Sequence, residues 1–375
     1  MAGIYIHIPF CKQACYYCNF HFSTSTRLKN DFVSALLNEI KLQKSYLGEE
    51  DIETVYFGGG TPSILLINEI KKILETIYTN YRITNNPEIT IEANPDDISY
   101  ERLMQWKQIG INRFSIGIQS FFEEDLQWMN RAHNAKQAQI CIKEVWEAGF
   151  ENFSIDLIYG GPSLSDEHWQ INLEKAVKLK IPHISCYALT VEPKTALNKM
   201  IQQQKKEAVD PEKQARHFLQ MTNILSKAGY EHYEVSNFAL PGLRSKHNSS
   251  YWLGKNYLGL GPSAHSHNGQ SRQWNISNNA LYIEALNKNT IPFEKEELSL
   301  TQQLNEYIMT SLRTAEGLNL NFVAEKFGED YGEKILNACM DKKFAWGILT
   351  IQPSIVLNNK GKLFADRIAS DLFFS

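Results

Sequence analysis

The sequence lacks the features that direct a protein into or across a membrane. No apolar run in the 375 residues reaches the roughly 18 residues that a membrane-spanning helix needs. The N-terminal stretch MAGIYIHIPFCK has neither a basic start nor a long apolar segment, so it does not resemble a signal peptide. We therefore expect a cytoplasmic protein.

Excess charge and cysteine are also scarce. The formal net charge is −4, which predicts neither a nucleic-acid partner nor a general affinity for membrane surfaces. Only six residues are cysteine, and disulfides are rare in a reducing compartment. Cys141, Cys186 and Cys339 stand alone in apolar settings, so we expect them in the buried core. The other three cysteines lie close together near the N-terminus.

Strand-like and helix-like patterns alternate in the first half of the chain. The strand-like runs are GIYIHIP, IETVYFGG, EITIEANP, RFSIGIQS, NFSIDLIYG and HISCYALTV. Between them, apolar residues recur at three and four positions, as in helices that pack on a sheet. Six such units over about residues 3–191 predict an α/β fold, a parallel sheet that is either open or curled into a partial barrel. Six units are too few for a complete eight-unit barrel.

The rest of the chain has a different character, and we expect three domains. Residues 1–200 form the β/α core, and residues 201–278 form an aromatic and histidine-rich connecting segment whose long loops are typical of functional sites. Residues 279–375 form a small, mostly helical domain. Its segment FAWGILTIQPSIVLNNKG predicts a two-stranded wing before a last helix.

The cysteine cluster has the spacing C-x3-C-x2-C, formed by Cys11, Cys15 and Cys18. Thiolates favour zinc or iron–sulfur clusters, and a structural zinc ion would need a fourth ligand, for which His7 and His21 are the candidates. A third alternative is one buried face of a helix, although the proline just upstream favours a loop. Three ligands on a four-iron cube leave one iron open to chelate a small molecule such as S-adenosylmethionine (SAM).

Several motifs carry a family resemblance. YIHIPFCKQACYYCNF resembles the cluster loop of the radical SAM superfamily, and YFGGGTPS resembles its glycine-rich SAM loop. IEANP, GIQSF followed by Arg131, and IDLIYGGP match further motifs in the same order. Together they resemble the family of oxygen-independent coproporphyrinogen III oxidase, HemN, over nearly the whole chain. The resemblance implies a partial (β/α)6 barrel of the radical SAM type, a winged-helix-like C-terminal domain, a 4Fe–4S cluster on the three cysteines, and SAM.

The resemblance also implies SAM-binding residues. Those expected to contact the first SAM are Tyr5, Gly59, Gly60 and Thr61, although a glycine run can also be a tight turn. Glu92 follows the third strand, where a carboxylate can accept both ribose hydroxyls, or can simply be a solvated strand-end charge. The positions that match contacts to a second SAM are Gln119, Arg131 and Asp156. Asp156 lies in an apolar strand and could instead pair with Arg131.

The segment KHNSSYW supplies a candidate heme site. His247 lies on a predicted polar loop, where most histidines are merely exposed, but here aromatic residues flank it. Imidazole is a common axial ligand of heme iron, and Tyr251 and Trp252 could cover a porphyrin face. H-N-x-x-Y-W also resembles the motif of the heme-chaperone branch of the family. His265 and His267 are alternative ligands, expected to be structural turn residues.

Two departures from the oxidase pattern favour the chaperone branch. The oxidases have a fourth cysteine where this chain has Phe20, and they have a longer segment before the cluster than the ten residues found here. We therefore expect a heme chaperone that binds heme, a 4Fe–4S cluster and SAM, without coproporphyrinogen oxidase activity. The resemblance implies heme-accepting proteins as partners, such as respiratory-chain hemoproteins. It is also compatible with peripheral contact between this protein and a membrane. The alternatives are a radical SAM decarboxylase of coproporphyrinogen III and a zinc-stabilised binding module.

Overall fold

The first half of the chain shows the predicted alternation of strands and helices. A computed structural model describes residues 1–340, 346–350 and 353–375. The elements of the first half are β1 (Ala2–Ile8), α1 (Lys29–Leu42), β2 (Ile52–Gly59), α2 (Ile67–Asn80), β3 (Ile83–Ala93), α3 (Tyr100–Gln108), β4 (Arg113–Gln119), α4 (Glu123–Trp128), α5 (Ala135–Glu147), β5 (Phe153–Tyr159), α6 (Asp166–Lys178) and β6 (His183–Ala188). All six predicted strands are present and pair in parallel in sequence order. The α/β prediction is therefore confirmed.

Three helices of this half, α3, α5 and α6, begin at capping residues that satisfy one of their first backbone N–H groups. The side chains of Ser99, Asn134 and Ser165 each accept a hydrogen bond from a backbone N–H three residues later. Each helix then turns an apolar stripe toward the sheet; on α5, for example, Ile142 and Val145 are fully buried. Caps and stripes together set each helix against the outer face of the sheet.

The middle of the chain extends the same sheet. Its elements are α7 (Ala196–Gln202), α8 (Pro211–Lys227), β7 (Glu231–Glu234), β8 (Asn237–Ala239), α9 (Lys246–Trp252), β9 (Tyr257–Leu260), β10 (His265–His267), β11 (Ser271–Asn275), α10 (Asn279–Asn287) and β12 (Phe293–Glu297). The strand order is β12-β11-β10-β9-β1-β2-β3-β4-β5-β6-β8-β7. β9 pairs in parallel with β1, so a seventh parallel strand joins the six that the sequence predicted.

The two faces of the parallel sheet differ in polarity. Along β1, Ile4, Ile6 and Ile8 are fully buried in the main core, whereas Tyr5 and His7 point to the opposite face. The same alternation holds on the other parallel strands, whose inner faces carry hydroxyl, carboxylate, guanidinium and imidazole groups. This inner face is called the lumen below. A polar lumen is unusual for a packed barrel core, and it places reactive side chains inside the fold.

The C-terminal part has a separate core. Its elements are α11 (Leu300–Ser311), β13 (Leu318–Asn319), α12 (Leu320–Phe327), α13 (Glu329–Met340), β14 (Ile348–Thr350), β15 (Ser354–Leu357), α14 (Asn359–Lys362) and α15 (Ala365–Asp371). β13, β15 and β14 form a small antiparallel sheet in that order. Residues 344–345 and 351–352 of the predicted wing lie outside the described residues, and the winged-helix assignment stays a prediction.

Along the chain, membership changes from the main core to the second core between α10 and α11. Tyr282 and Leu286 on α10 belong to the main core, whereas the second core begins with Leu304 on α11. The domain boundaries predicted at residues 200 and 278 are not tested by this packing and stay predictions. Within the described part of the chain, no helix is long and apolar enough to cross a membrane.

Candidate cofactor-binding site

The cysteine cluster lies on a loop that leaves β1. The backbone N–H of Cys11 donates to the carbonyl of Ser23 at 3.0 Å, and the N–H of Ser23 donates to the carbonyl of Pro9 at 2.9 Å. These bonds close the loop and leave the thiols of Cys11, Cys15 and Cys18 partly exposed. The predicted loop is confirmed, and the alternative of a buried helix face is wrong.

Without a bound metal, the buried surroundings favour the neutral thiol form of two of the cysteines. Burial raises the pKa of Cys11, and burial raises the pKa of Cys18 to about 11. A bound metal overcomes such a shift because it binds the thiolate. In the part of the chain that the structure describes, no three His, Cys, Asp or Glu side chains are close enough to share one metal ion. A four-iron cube does not need that proximity, since each thiolate binds a different iron.

The two histidines considered as a fourth zinc ligand are used elsewhere. His7 Nδ1 hydrogen-bonds the Tyr5 hydroxyl at 3.2 Å, and His7 Nε2 hydrogen-bonds the carbonyl of His21 at 2.8 Å. His21 Nε2 hydrogen-bonds Asn279 Oδ1 at 2.7 Å. The geometry therefore does not support the zinc alternative.

The glycine-rich loop follows β2 and touches the cysteine loop. Gly59 has a φ of 112°, a conformation that glycine adopts readily. A Cβ atom at Gly60 would lie 2.6 Å from the Phe10 carbonyl oxygen and 2.9 Å from Cys11 Sγ. A side chain at Gly60 would therefore push the two loops apart. Thr61 follows directly and hydrogen-bonds the Cys11 thiol.

Arg131 connects the cysteine loop to the sheet. Its guanidinium donates to Cys15 Sγ at 3.3 Å, to Asn94 Oδ1 at 2.7 Å and to the carbonyl of Gly117 at 3.0 Å. Its buried Nε has no partner among the described residues. A buried guanidinium with one unsatisfied N–H, beside a thiol and a cavity, fits an anionic ligand such as the carboxylate of an amino acid.

Two carboxylates face the lumen near this loop. Burial, and then repulsion from Asp156, raises the pKa of Glu92 to about 8, although the Tyr56 hydroxyl donates to Glu92 Oε1 at 2.9 Å. Burial raises the pKa of Asp156 to about 6, and Ser115 Oγ donates to it at 3.4 Å. The alternative that Asp156 pairs directly with Arg131 is not realised, because the described residues form no ion pair between them. Both carboxylates remain available to a ligand.

Gln119 ends β4 in a strained conformation. Its φ is 64°, in the left-handed region that a glutamine rarely occupies, and the β4–β5 register shifts just before it. Such strain is often found where a side chain is aimed at a ligand.

These groups line one cavity of about 830 Å³. Of the predicted site residues, those that line it are Cys11, Cys15, Cys18, Gly59, Gly60, Thr61, Glu92, Gln119, Arg131 and Asp156. The sequence analysis did not identify Ser115, Gly117 or Asn94 as site residues, although the strand alternation that brings them into the lumen was a usable signal. It also missed the wall that the C-terminal part contributes, which includes Arg313 and Lys362. Tyr5 does not line the cavity; it lies below it, stacked on Tyr56.

The predicted heme residues lie at the other end of the lumen. The segment KHNSSYW forms the short helix α9 rather than a loop, because the Ser245 side chain accepts from a backbone N–H of its first turn. His247 is only 2% exposed. Its Nδ1 hydrogen-bonds Thr54 Oγ1 at 2.7 Å, and its Nε2 hydrogen-bonds the Tyr251 hydroxyl at 2.9 Å. Burial lowers the pKa of His247 to about 3, so the imidazole is neutral.

Trp252 contacts a residue that lines the cavity. The guanidinium of Arg313, a cavity-lining residue, lies 5.0 Å from the centre of the Trp252 ring. Among the alternative ligands, His265 lies in β10 beside Trp274, and His267 Nε2 is 3.9 Å from Glu306.

The lone cysteines, predicted to be core residues, are each 1% exposed, which confirms that prediction.

Comparisons with known proteins agree with this geometry. Residues 5–176 match the Radical SAM superfamily. The heme chaperone HemW of Bacillus subtilis (strain 168) is 31% identical over 371 residues, which cover 98% of each chain. HemW of Mycobacterium tuberculosis (strain ATCC 25618 / H37Rv) is 32% identical, with 99% of this chain and 94% of the relative covered. HemW of Escherichia coli (strain K12) is 36% identical over 270 residues, covering 70% and 69%.

Among solved structures, coproporphyrinogen III oxidase (HemN) from Escherichia coli superimposes with a TM-score of 0.85. The match covers 99% of this chain and 90% of the oxidase at 21% identity, so it supports the fold alone. The sequence similarity to the chaperones extends over nearly the full length of several of them, and it includes the cluster loop, the barrel and the C-terminal part. The chain belongs to the HemW family within the radical SAM superfamily.

Proposed function

We propose that this protein is a heme chaperone that binds heme, a 4Fe–4S cluster and SAM, and that passes heme to acceptor proteins. The observation that carries the proposal is the similarity, over nearly the whole chain, to relatives named heme chaperones. Phe20 supports it, because an exposed aromatic ring occupies the position of the fourth cysteine of the oxidases. The site residues assigned below are part of the same proposal.

Cys11, Cys15 and Cys18 would hold the cluster, and the glycine-rich loop and Glu92 would hold SAM. When bound, such a cluster supplies an electron for the reductive cleavage of SAM. The chain's own contribution is positioning. Gly60 permits close contact between the two loops, and the Arg131 guanidinium bridges Cys15 Sγ and the Gly117 carbonyl of β4. The residues assigned to a second SAM are Gln119, Arg131 and Asp156.

Glu92 would accept hydrogen bonds from the SAM ribose. Its pKa of about 8 means that the carboxyl is largely protonated in the ligand-free protein near neutral pH. A bound sulfonium cation and two ribose donors would favour the carboxylate and release a proton. Binding of SAM would therefore strengthen as the pH rises toward 8.

His247 would bind the heme iron, with Tyr251 and Trp252 beside the porphyrin. Its neutral imidazole is the form that iron needs. Iron binding at Nε2 requires that the Tyr251 hydroxyl move away, and losing that hydrogen bond costs about 1 kcal/mol. The Thr54 bond at Nδ1 would then orient the ring, as outer hydrogen bonds do for metal-bound histidines. The proposed partners are heme-accepting proteins such as respiratory-chain hemoproteins, in the cytoplasm or at the membrane surface, and not nucleic acid.

Anaerobic purification followed by heme titration tests the proposal. We expect about four irons and four sulfides per chain, and saturation at about one heme per chain with a Soret band distinct from that of unbound heme. Incubation of the heme-loaded protein with an apo-cytochrome should move the heme to the acceptor. A protein that binds no heme in any cluster state would refute the chaperone assignment.

A further inference from the structure

The cavity has a second wall, apart from the residues proposed to hold the cluster and SAM. This wall comes from the C-terminal part and includes Arg313, Lys362, Leu363, Phe364 and Arg367. It is called the C-terminal wall below. The polar groups of the C-terminal wall are cationic, apart from Asp366, which is paired with Arg313 at 2.7 Å.

Lys362 is a buried cation that forms no direct ion pair with the described residues, although Glu234 and Glu316 favour its charged form from a greater distance. It ends α14 and is 8% exposed. Among the described residues, its Nζ hydrogen-bonds His232, through Nδ1 at 3.3 Å and the backbone carbonyl at 3.4 Å. The described residues place no carboxylate within 4 Å of it. Because a buried charge is stabilised mainly by a partner of opposite sign, an anionic group in the cavity would fill this gap.

Arg367 lines the same wall as Lys362. It lies on α15, is exposed, and forms no ion pair with the described residues. Arg313 differs, because Glu234 and Asp366 both hold its guanidinium. Lys362 and Arg367 are therefore the two cations of the wall that can accept a new anion.

Three aromatic rings complete the same cavity. Phe20 is 67% exposed, Phe364 is 46% exposed and Tyr187 is 43% exposed, although large apolar side chains are normally buried. Phe20 comes from the cysteine loop, Tyr187 from β6 and Phe364 from the C-terminal wall. Exposed rings that converge on one cavity mark a site for a ligand with a large apolar face.

Charge divides the cavity into two regions. On the barrel side, Glu92 and Asp156 suit a sulfonium cation, and Arg131 suits the carboxylate of the same ligand. On the C-terminal wall, the charged groups that form no ion pair with the described residues, Lys362 and Arg367, are both positive. A volume of about 830 Å³ is near the top of the range of roughly 300–1,000 Å³ for ligand pockets. The cavity is thus large enough to extend beyond a nucleoside-sized ligand.

We propose that the C-terminal wall binds the carboxylates of a flat, dianionic tetrapyrrole, with Lys362 and Arg367 as the carboxylate ligands and Phe20, Tyr187 and Phe364 against the macrocycle. This inference rests on the proposed heme binding. It places the macrocycle in the cavity, which His247, Tyr251 and Trp252 do not line, so for a single bound heme it is an alternative to iron ligation by His247. It assigns to the C-terminal part a direct role in holding the cargo.

Titration of the full-length protein with two probes tests the assignment. The probes are heme and heme dimethyl ester, which has the same macrocycle but no carboxylates. We expect the wild-type protein to bind heme at least about tenfold more tightly than the ester. The Lys362→Met/Arg367→Met variant should lose that difference by weakening heme while leaving the ester unchanged. The matched control is Lys326→Met/Lys334→Met, which removes two cations of the same domain away from the cavity.

The outcomes separate the two proposals. If the wild-type protein binds neither probe, the chaperone assignment fails and takes this inference with it. If the protein binds heme and the ester equally well, or if the variant keeps full preference for heme, only this inference fails. The exposed Arg367→Met single variant, expected to lose part of the preference, answers the question if burial makes changes at Lys362 disruptive, and ester binding reports that each variant is folded.

Discussion

The two ends of the barrel lumen are built from the same strands, yet their polar side chains have different surroundings. At the amino ends, Glu88, Arg113 and His247 are 4%, 1% and 2% exposed, so they lie inside the protein. Glu88 lies 3.8 Å from Arg113 and accepts the backbone N–H of His247 at 3.0 Å. At the carboxyl ends, the cysteines, Glu92 and Arg131 face a cavity.

The difference separates an end of the lumen where polar groups mostly bond to other protein groups from an end where polar groups line a cavity in which a ligand can bind. Helix α9 closes the amino end, where Glu88 and His247 have protein partners, although Arg113 Nη2 is buried without a partner among the described residues. At the carboxyl end, the described residues enclose a cavity of about 830 Å³ that the cysteines, Glu92 and Arg131 line. Loops that follow parallel strands are where ligands bind in α/β folds. His247 is the exception that the comparison must explain, because it is a predicted heme ligand inside the closed end.

The largest expected effect is the loss of the cluster. Cys15→Ala should remove nearly all iron and sulfide and the broad visible absorption of the anaerobic protein, because a cube held by two thiolates is unstable. The control is Cys141→Ala, a buried cysteine in the main core, which should keep the cluster. Iron and sulfide analysis gives the answer, and a Cys15→Ala protein with a full cluster would place the ligands elsewhere.

Changes at His247 test whether the closed end also binds heme. His247→Ala should shift or abolish the Soret band of bound heme and leave the cluster intact. It should also destabilise the fold by about 2 to 3 kcal/mol, because two buried hydrogen bonds are lost. Heme titration and thermal unfolding measure the two effects.

Two controls separate ligation from stability. Thr54→Val removes one of these hydrogen bonds but leaves Nε2 intact, so it should lower stability by about 1 kcal/mol or more while heme binding persists. His265→Ala should be nearly silent in both measurements. If His247→Ala binds heme with an unchanged spectrum and affinity, His247 is purely a structural part of the closed end. Trp252→Ala should weaken heme binding without changing the iron's ligands.

A smaller effect is expected at the open end. Glu92→Gln should weaken SAM binding by about 1 to 2 kcal/mol, since a carboxylate is a stronger acceptor than an amide. In the wild-type protein the affinity should rise as the pH increases toward about 8 and level off above it, where Glu92 is already ionised before SAM binds. The variant should lack that rise. Anaerobic calorimetry between pH 6 and 9, which spans roughly two units below and one unit above that pKa, measures the affinity of both proteins. A wild-type affinity that does not change with pH would exclude Glu92 as the ribose acceptor.

The smallest effect concerns stability without ligand. The folded-state pKa of Asp156 is raised to about 6, so its contribution is fully favourable below the unfolded value and is lost as the pH rises through 6. Asp156→Asn should therefore unfold at a higher temperature than the wild type above pH 6, by about 2 °C or more, and show no such gain near pH 4. The exposed Glu151→Gln provides the control. Equal melting temperatures at both pH values would mean that the Asp156 carboxylate is well solvated.

Much of the open end could be predicted from the sequence because its signals are local. The cysteine spacing, the glycine run after β2 and Glu92 at the end of β3 are each encoded within a few residues. The strands β1 to β6 were predictable because their apolar positions recur and helices separate them. Strand β9 was not, since four residues in an aperiodic segment give no signal that they pair with β1.

The C-terminal wall could not be predicted for a different reason. Lys362 resembles any surface lysine in the sequence, and only the packing of α14 against α8 buries it beside His232. The same holds for His247, which reads as part of a polar loop but is buried because α9 packs on β1 and β2. Burial of a polar residue depends on distant parts of the chain, so local patterns do not reveal it.

The most direct test of the central claim is an assay of the cluster-loaded protein with coproporphyrinogen III, SAM and a reductant. If the protein is a heme chaperone, porphyrinogen analysis should find the substrate unchanged, while the same preparation binds heme. Phe20 in place of a fourth cysteine is the structural motive for this expectation. Formation of protoporphyrinogen with release of carbon dioxide would contradict the chaperone assignment and identify the protein as a decarboxylase.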